Sequence, residues 1–523
     1  MRMLHRYQTI ACLLGLLTIP IPTLAGQAKP ADRALSNPTQ DSTKVLDRKA
    51  TRQSALKELR EDLDALVSAP EWSGAHVGVS VVSLESGEPI YRKNDDKFFI
   101  PASLQKLFTT SAALEQLGPQ HTFSTTLYLD GTLSESGEFV GNVIIRGGAD
   151  PTWSSSFGRD PLSMLDRWAE VLDSIGVRSI KGTIIGDDDL FDEERYAAGW
   201  SWDDFLYAYA PQVSALSIAD NAVEIQIIPP RNSDLRPSIR VIPENDYVRV
   251  VSALRFVDST GITDIKPKRE EHSTVIDITG TYALTSRSDT ISLKLSVDNP
   301  TLYFAHLLKA AIVRRGIRFR GGVLDIDDWT EPVLYDRMKK VAESRSVQLS
   351  DIVQTINQTS HNLGAELLLK YLGITPAMDG SWDRGLDVVR RWLRREGIAG
   401  SDLAMVDGSG LSRLNLVTPH QIVTLLTRSQ RLPWGGALRN SLAEPGKQGT
   451  LRRRMVGTRA EKNVRAKTGS MNNVSALAGF ATTRDGEDVA FAITISNFIA
   501  PLAMAQNVQD LICMRLSSFS RKN

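Results

Sequence analysis

The sequence predicts an α/β fold in which a five-stranded antiparallel sheet with flanking helices is split by a long, mainly β insertion. Two sets of apolar strands joined by tight turns predict the sheet, one near residues 75–100 and one near 464–497. Apolar helical patterns stand beside both sets. The chain between them, about residues 123–340, is rich in short alternating strands, and we expect it to form two subdomains.

Length and composition are those of a soluble protein with more than one domain. The chain has 523 residues, of which 42% are hydrophobic and 23% are charged, so it can bury substantial cores. Its 61 Lys and Arg residues balance 61 Asp and Glu residues, and no basic block occurs. This balance argues against nucleic acid as a partner.

The first residues have the pattern of a secretory signal. Arg2 and Arg6 precede an apolar run at 10–21, and Ala25 ends a stretch suited to cleavage. A membrane anchor is the alternative, but the run is too short for a span and prolines interrupt it. We therefore expect a signal peptide at 1–25, a secreted, periplasmic protein, and no transmembrane anchor once the signal is removed.

The mature chain is expected to begin with a linker, a helix and a hairpin. Residues 26–50 are polar and contain no aromatics, which predicts a flexible linker. A helical pattern follows at about 51–68, and then a β-hairpin at 75–100. The hairpin ends at Pro101, where a helix begins. Residues 51–122 are thus expected to form the first part of the main domain.

The C-terminal part supplies the remaining strands of the predicted sheet. Three apolar strands between 464 and 497 are separated by tight turns, so they should be antiparallel neighbours. A helix at about 501–518 follows them. If these strands join the N-terminal hairpin in one sheet, residues 123–340 are an insertion and residues 341–523 are the second part of the main domain.

A serine and a lysine three residues apart occur twice in the chain. Ser103 and Lys106 stand at the start of a predicted helix, whereas Ser54 and Lys57 stand in a charged helical pattern. Average usage predicts roughly two such matches in a chain of this length. A helix cap and a surface lysine are the simpler interpretation of either pair, so the spacing alone does not indicate function.

Two further motifs favour chemistry at the first of these pairs. Ser360 and Asn362 stand at a turn between two helical segments, and Lys-Thr-Gly stands on a predicted strand at 467–469. A capped turn would explain the first of these motifs alone, but average usage predicts Lys-Thr-Gly in only roughly one of eight such chains. Ser-x-x-Lys, Ser-x-Asn and Lys-Thr-Gly in this order are typical of penicillin-binding proteins and serine β-lactamases.

The three motifs suit nucleophilic catalysis. A serine hydroxyl needs a base, and Lys106 can reach the Ser103 Oγ because residues three apart share one helix face. Burial and the charge of Lys467 both disfavour a second ammonium, so Lys106 can be neutral. The backbone N–H groups of Ser103 and Ser470 can form an oxyanion hole, and Lys467 with Thr468 can hold a carboxylate.

With these motifs the chain resembles the D-alanyl-D-alanine carboxypeptidases/endopeptidases of the penicillin-binding protein 4 type, peptidase family S13. The resemblance runs from about residue 60 to 510 and includes GGADPTW, VDGSGLSRLNLVTP and AKTGS. It implies a penicillin-binding-protein/serine β-lactamase-like transpeptidase domain, split between Ser-x-x-Lys and Ser-x-Asn. The family commonly has Asp where this chain has His361; we expect this side chain to point away from the reacting atoms and to shift the pH profile.

The resemblance also implies roles for the motif residues. Ser103 would be the nucleophile and Lys106 the acylation base. Ser360 would relay a proton to the leaving amine, and Asn362 would bind a substrate amide. Lys467 would bind the terminal D-Ala carboxylate of the substrate. Neither a metal nor an organic cofactor is implied.

The same resemblance implies a substrate site for peptidoglycan stem peptides, with β-lactam antibiotics as inhibitors. Thr468 would share the terminal carboxylate with the motif lysine, and Gly469 and Ser470 would continue the strand along the substrate. Asp150 would recognise the amino group of a stem-peptide side chain. Turn chemistry is an equal alternative for Asp150, because Gly-Gly and Asp-Pro are common turn formers.

Several other patterns have simpler interpretations than a second site. The acidic run 187–189 is compatible with a calcium site, but we favour its interpretation as a solvated turn. Residues 407–410 lack the Gly-x-Ser-x-Gly pattern and are interpreted as a loop that shapes the site. Cys513 is the single cysteine of the mature chain and stands in an apolar helical pattern, which predicts a buried thiol, and the histidines show no zinc-ligand spacing.

Two other functions remain open at this stage. A serine β-lactamase would use the same acylating residues, but it also needs a route for water to the acyl-enzyme, and we see no dedicated deacylating carboxylate. A non-catalytic cell-wall-binding protein would keep the fold and lose a motif, whereas all three motifs are present here. Penicillin turnover separates the first of these alternatives from a carboxypeptidase.

Overall fold

The computed structural model describes residues 38–229, 238–284, 289–375, 378–400 and 402–522, with side chains from residue 53 onward. Its α-helices are α1 (Pro38–Val67), α2 (Gln105–Leu117), α3 (Pro161–Ser174), α4 (Pro300–Arg314), α5 (Leu349–Thr359), α6 (Asn362–Leu372), α7 (Trp382–Arg395), α8 (Pro419–Ser429), α9 (Gly435–Ser441) and α10 (Leu502–Ser518). Its strands are β1 (His76–Ser83), β2 (Pro89–Lys93), β3 (Ser124–Leu133), β4 (Glu138–Arg146), β5 (Ser179–Lys181), β6 (Ile184–Asp187), β7 (Ala222–Ile228), β8 (Ser238–Ile242), β9 (Arg249–Val257), β10 (Asp264–Lys268), β11 (Val275–Ala283), β12 (Ile291–Ser296), β13 (Arg318–Arg320), β14 (Val323–Asp325), β15 (Lys339–Arg345), β16 (Val464–Met471), β17 (Val474–Thr482) and β18 (Asp488–Ser496).

The main sheet joins strands from the two ends of the chain. Its order is β16-β17-β18-β1-β2, and every neighbouring pair is antiparallel. Alternate residues of β17 face opposite sides, so Leu477 packs in the cluster that contains α10 while Ala476 and Ala478 pack in the cluster that contains α2. Helices on both faces explain why the central strands are almost wholly apolar. The predicted five-stranded antiparallel sheet is confirmed.

The insertion is built on a sheet of its own. β3 pairs antiparallel with β4 and with β15, so the chain leaves and re-enters the main domain on neighbouring strands, with Ser124 opposite Arg345. The sheet continues from β4 through β5 to β13, with β6 and β14 beside it, and two sheets of three strands complete the insertion. The predicted β-rich insertion is confirmed. Its last strand, β15, ends at Arg345, whereas the insertion was expected to end at residue 340.

The first helix is longer than the sequence predicted. α1 begins at Pro38, whereas a linker was expected to residue 50 and a helix from about residue 51. Among its side chains that the structure describes, from residue 53 onward, the first buried apolar one is Leu56. The helix sequence before residue 53 is mostly polar, so hydrophobic periodicity could not reveal a helix there. The predicted signal peptide at 1–25 lies outside the described residues. No helix within the part of the chain that the structure describes is long and apolar enough to cross a membrane.

Candidate active site

Ser103 stands on a tight turn that leads into α2. The turn is a short 3₁₀ segment, Ala102–Leu104, and Ala102 has a positive φ of 46°. Two glycines let other segments approach this turn closely. A Cβ on Gly469 would lie 3.1 Å from the Ser103 N, and one on Gly410 would lie 1.9 Å from the Ala102 O. The turn is therefore held between β16 and the loop at 407–412.

Lys106 is fully buried beneath Ser103 on the first turn of α2. Its Nζ donates to the Ser103 Oγ at 3.2 Å, to the Asn362 Oδ1 at 2.6 Å and to the Ser409 carbonyl oxygen at 2.7 Å. Burial lowers the pKa of Lys106 to about 7, although the negative charges of Glu366 and Asp407 oppose that shift. A substantial fraction of this lysine is thus neutral near neutral pH and able to accept a proton.

Ser360 and the second lysine form the opposite wall of the site. Ser360 ends α5 in the left-handed conformation, with φ 63°, and its Oγ accepts a hydrogen bond from the Lys467 Nζ at 2.9 Å. That Nζ also donates to the Thr468 carbonyl oxygen at 2.8 Å. Burial, followed by the positive charge of Lys106, lowers the pKa of Lys467 well below its ordinary value. The two lysines disfavour each other's charge.

The β16 edge leaves backbone groups free to meet a substrate. Ala466 makes both of its backbone hydrogen bonds to Ala443 on the side away from β17. Backbone directions repeat every two residues along a strand, so the N–H groups of Thr468 and Ser470 face the same side. This orientation suits an oxyanion-hole donor at Ser470, whose side chain is exposed and whose neighbour Thr468 is half-buried.

A cleft between the insertion and the main domain opens at Ser360 and Asn362. These two residues line a cavity of about 590 Å³ together with Tyr207 and Tyr209 of the insertion. The Asn362 Nδ2 donates to the Tyr209 carbonyl oxygen at 2.7 Å. Both polar atoms of the Asn362 amide therefore have protein partners in this structure.

His361, between the two motif residues, contacts the insertion. It is the N-cap of α6, where its Nδ1 accepts a hydrogen bond from the Gly364 N–H at 3.0 Å. Its Nε2 lies 3.0 Å from the Asp220 Oδ1 of the insertion. Burial opposes ionisation of Asp220, but hydrogen bonds from His361, Ser154 and Ser156 outweigh it and hold the pKa of Asp220 below its usual range. The His361 ring makes these contacts rather than any with Ser103 or Lys106.

Asp150 is a buried turn residue in this structure. Its Oδ1 accepts hydrogen bonds from the N–H and the hydroxyl of Thr152 at 2.8 and 2.6 Å, and the residue is 1% exposed. Burial raises the pKa of this carboxyl to about 6, against the hydrogen bonds of Thr152. Asp150 is not among the residues that line the cleft. Its expected role in recognising a substrate amine stays a prediction.

The structure brings together the residues of all three motifs, and it adds residues that sequence reasoning missed. Glu366 lies one helical turn after Asn362 and is fully buried, as is Asp407 of the shaping loop. The spacing of four residues on α6 was the one signal that could have indicated Glu366. Nothing in the sequence indicated the carbonyl groups of Tyr209 and Ser409, because every residue has a backbone carbonyl and the sequence does not show where it points.

The acidic run at 187–189 ends in the expected exposed turn at Asp189, but its first residue is buried. Asp187 is 5% exposed at the end of β6. The next residue, Asp188, has a carboxylate oxygen within 4.8 Å of those of Asp325 and Asp327. Arg195 pairs with the last two at 3.2 and 3.3 Å, so the cluster contains its own cation. Long-range pairing between β6 and β14 brings these acids together, which the local run could not reveal.

Cys513 lies in the core as predicted. It is fully buried in α10, and burial raises the pKa of its thiol. A thiol of this kind is inert as a nucleophile at neutral pH.

The fold and the site together define a class of protein. A five-stranded antiparallel sheet between helical layers, with a serine and a buried lysine on the first turn of one helix, is the penicillin-binding-protein/serine β-lactamase-like arrangement. The chain belongs to the D-Ala-D-Ala carboxypeptidase 3 (S13) family, whose sequence pattern matches residues 59–517. It is an enzyme of the D-Ala-D-Ala carboxypeptidase type.

Individual relatives cover most of the chain. It is 35% identical over 481 residues to the D-alanyl-D-alanine carboxypeptidase of Actinomadura sp. (strain R39), covering 89% of this chain and 85% of that protein. It is 27% identical to the D-alanyl-D-alanine carboxypeptidase DacB of Haemophilus influenzae, covering 81% and 86%. Its fold matches the crystal structure of penicillin binding protein 4 from Haemophilus influenzae with a TM-score of 0.75, at 24% identity over 86% of this chain and 99% of that one.

Proposed function

We propose that the protein hydrolyses D-Ala-D-Ala bonds of peptidoglycan stem peptides, as a carboxypeptidase, a D,D-endopeptidase or both, through an acyl-enzyme on Ser103. The observation that carries the proposal is the contact between the Lys106 Nζ and the Ser103 Oγ at 3.2 Å, made by a lysine that is fully buried. Such a lysine can take the serine proton, which an ordinary solvated ammonium cannot do.

In the acylation step, Lys106 accepts the hydroxyl proton while the Ser103 Oγ bonds to the carbonyl carbon of the penultimate D-Ala. The N–H groups of Ser103 and Ser470 stabilise the oxygen that becomes negative. The C–N bond then breaks, and the leaving amine of the terminal residue takes up a proton. Ser360, hydrogen-bonded to Lys467 at 2.9 Å, is suited to deliver that proton.

The second lysine and the β16 edge are suited to orient the substrate. Lys467 is buried beside Lys106 and lacks a carboxylate partner among its hydrogen bonds, which go to Ser360 and Thr468. A substrate carboxylate would supply that missing negative charge and favour the ammonium form of Lys467. The Thr468 hydroxyl would donate to the same carboxylate, and Gly469 leaves room for the Ser103 turn. Asn362 would hold a substrate amide.

Inhibition by β-lactams follows from the same chemistry. A β-lactam ring presents an amide whose leaving group stays attached after acylation, so the ester on Ser103 persists unless water reaches it. Glu366 and Asp407, the buried carboxylates beside Lys106, accept hydrogen bonds from the backbone N–H groups of Gly408 and Gly410 and are not free to activate water. This arrangement supports slow deacylation and argues against the serine β-lactamase alternative.

The proposal includes an export route. The signal pattern at 1–25 would direct the chain to the periplasm, where peptidoglycan is found. The three assembled motifs argue against a non-catalytic wall-binding protein.

The test is digestion of purified peptidoglycan with the mature protein, followed by mass spectrometry of the products. Release of free D-Ala identifies the carboxypeptidase reaction, and conversion of cross-linked dimers to monomers identifies the endopeptidase reaction. Rapid turnover of penicillin with no change in the peptidoglycan would support a β-lactamase and contradict the proposal.

A further inference from the structure

A fully buried carboxylate, Glu366, lies beside the acylation base and has no part in the proposed reaction. It stands four residues after Asn362 on α6, so the two side chains share one face of that helix. Burial raises the pKa of Glu366 to about 7, and the negative charge of Asp407 acts in the same direction. A carboxylate is costly to place in such a position unless its oxygens receive hydrogen bonds.

Both oxygens of Glu366 accept hydrogen bonds. The Oε1 accepts from the Ser409 N–H at 2.7 Å, and the Oε2 accepts from the Gly408 N–H at 2.8 Å. The Trp382 Nε1–H also donates to the Oε2, at 2.8 Å. One carboxylate thus binds two consecutive N–H groups of the shaping loop, and all its partners are donors, as an ionised carboxyl requires.

These bonds orient the carbonyl groups of the loop. In a planar trans peptide the N–H and C=O point in opposite directions, so peptides whose N–H groups face α6 direct their carbonyls towards α2. The Asp407 carbonyl oxygen accepts from the Gln105 Nε2 at 3.4 Å, and the Gly408 carbonyl oxygen accepts from the Thr109 Oγ1 at 2.8 Å.

The next carbonyl, that of Ser409, belongs to the peptide whose N–H, on Gly410, donates to the Asp407 Oδ1 at 2.8 Å. The Ser409 carbonyl oxygen accepts from the Lys106 Nζ at 2.7 Å, shorter than the 3.2 Å between that Nζ and the Ser103 Oγ. Together with the bond to the Asn362 Oδ1 at 2.6 Å, this bond takes up both protons of the neutral amine, so its lone pair is available to the serine hydroxyl. A rotated loop would leave the lysine without this constraint.

From this geometry we infer that Glu366 is a positioning residue for Lys106: by binding the Gly408 and Ser409 N–H groups, it fixes the two loop peptides that precede the Ser409 carbonyl, and so places that carbonyl against the acylation base. The inference deepens the proposed function and rests on it, since it assumes that Lys106 accepts the Ser103 proton. The negative charge of Glu366 has a second effect, which makes the role measurable by pH.

The charged groups that face Lys106 come from three elements. Glu366 on α6 and Asp407 in the loop favour its ammonium form, whereas Lys467 on β16 disfavours it because the two lysines repel. Acylation should slow as the pH falls through the pKa of Lys106, near 7, because the protonated base cannot accept a proton. Glu366, whose own pKa is about 7, is partly charged through this range, so removing its charge lowers the pKa of Lys106 and moves the acid limb to lower pH.

The experiment measures the rate of Ser103 acylation by a fluorescent penicillin between about pH 5 and 9 in the full-length mature protein. Glu366→Gln keeps the side-chain volume but loses the charge and one acceptor oxygen. We expect a maximal rate about tenfold to a hundredfold lower, the size expected when one buried hydrogen bond is lost, and an acid limb at lower pH. Glu366→Asp keeps the negative charge, but its side chain is too short to bind both N–H groups. We therefore expect the acid limb at the same pH as in the unsubstituted protein, with only part of the acylation rate recovered.

Trp382→Phe is the matched control. It removes the third hydrogen bond to the same carboxylate and leaves the charge and both loop contacts in place. We expect it to lower the thermal midpoint of unfolding without moving the acid limb. If Glu366→Gln does not fold, Glu366→Asp carries the test, and a rate equal to that of the unsubstituted protein would overturn the inference.

Three results would contradict the role of Glu366. An unchanged acylation rate and an unchanged acid limb in folded Glu366→Gln would overturn it. A lower acylation rate with an unmoved acid limb in both Glu366→Gln and Trp382→Phe would also overturn it, because that result indicates loss of packing alone. If the unsubstituted protein is not acylated at Ser103, the proposed function fails together with this inference. That failure is recognised in the unsubstituted protein, before any variant is compared.

Discussion

The chain contains Ser-x-x-Lys in two places, and the two regions differ in what surrounds the lysine. In α1, Ser54 is exposed, and Lys57 is 78% exposed beside Glu61 at 3.7 Å. In α2, Lys106 is fully buried and donates to three oxygen atoms, one of which is the Ser103 Oγ. The same three-residue spacing thus gives a solvated surface pair in one helix and a candidate base beside its nucleophile in the other.

The comparison teaches that burial, rather than the motif, creates the base. The pKa of a lysine amine in water lies several units above neutral pH, so the charged form dominates there. Burial lowers that pKa and makes the neutral form accessible. α2 lies between the main sheet and helices α5, α6 and α7, so the side chains of its first turn are buried from solvent. In α1, from residue 53 onward, Leu59 and Leu63 pack in the cluster on the outer face of the sheet, and the polar side that carries Lys57 is exposed to solvent.

The largest expected effect is on the site of covalent labelling. Ser103→Ala should abolish labelling by penicillin, because the atom that forms the ester is absent, while Ser54→Ala should leave labelling unchanged. Peptide mapping of the labelled protein locates the ester. Label on Ser54, or full labelling of Ser103→Ala, would show that the wrong helix has been assigned.

The lysines should differ almost as strongly as the serines. Lys106→Ala should slow acylation about a hundredfold to ten-thousandfold, the contribution typical of a positioned general base. Lys57→Ala should have no effect, since its side chain contacts only the solvated Glu61. The measurement is the second-order rate constant of acylation in both variants. Equal losses would mean that the surroundings of Lys106 do not make it the base.

A smaller effect is expected where the insertion touches the catalytic turn. His361→Asn retains an oxygen that can cap α6, but it cannot reach Asp220, so the turn at Ser360 loses its tie to the insertion. We expect acylation to slow about threefold to tenfold, as for the net loss of one ordinary hydrogen bond, with little change in the thermal midpoint.

A second His–Asp pair within the insertion supplies the control for this prediction. His306 lies 3.0 Å from Asp246 on the exposed side of α4, and Asp246 is also bound by Lys309. Asp246→Asn should leave acylation unchanged, whereas Asp220→Asn should resemble His361→Asn. The idea fails if the two aspartate variants acylate at the same rate.

The smallest expected effect concerns Asp150. If its carboxylate recognises an amine on the stem peptide, Asp150→Asn should weaken turnover of amine-bearing peptides by at least about twofold to fivefold, since an ion pair contributes roughly 0.2 to 1 kcal/mol when exposed and more when buried, as Asp150 is. Acylation by a plain penicillin should change little, because that compound offers no amine. Both rates are measured on the same variant at low and moderate salt. A parallel fall in both would identify Asp150 as the turn residue that its hydrogen bonds to Thr152 describe.

Much of the fold was predictable because its signals are local. Apolar residues, alternating or in continuous runs between turn residues, mark the hairpin at 75–100 and the three strands between 464 and 497. If these strands share one sheet, the long chain between them must be an insertion. The start of α1 at Pro38 was not predictable, because its first turns have no apolar stripe. The burial of Asp187 was missed for a related reason, since it depends on β14, far along the chain.

By itself, the sequence determined which residue types occur at the candidate site and on which elements they stand, because Ser103 and Lys106 are three residues apart and Lys-Thr-Gly lies on one short strand. Only the tertiary structure decided which groups surround them. The contact between Lys106 and Asn362 joins residues 256 positions apart, and the Tyr209 carbonyl comes from the insertion. The low pKa of Lys106 and the position of Glu366 arise from packing and loss of water, which depend on the whole fold rather than on any local pattern.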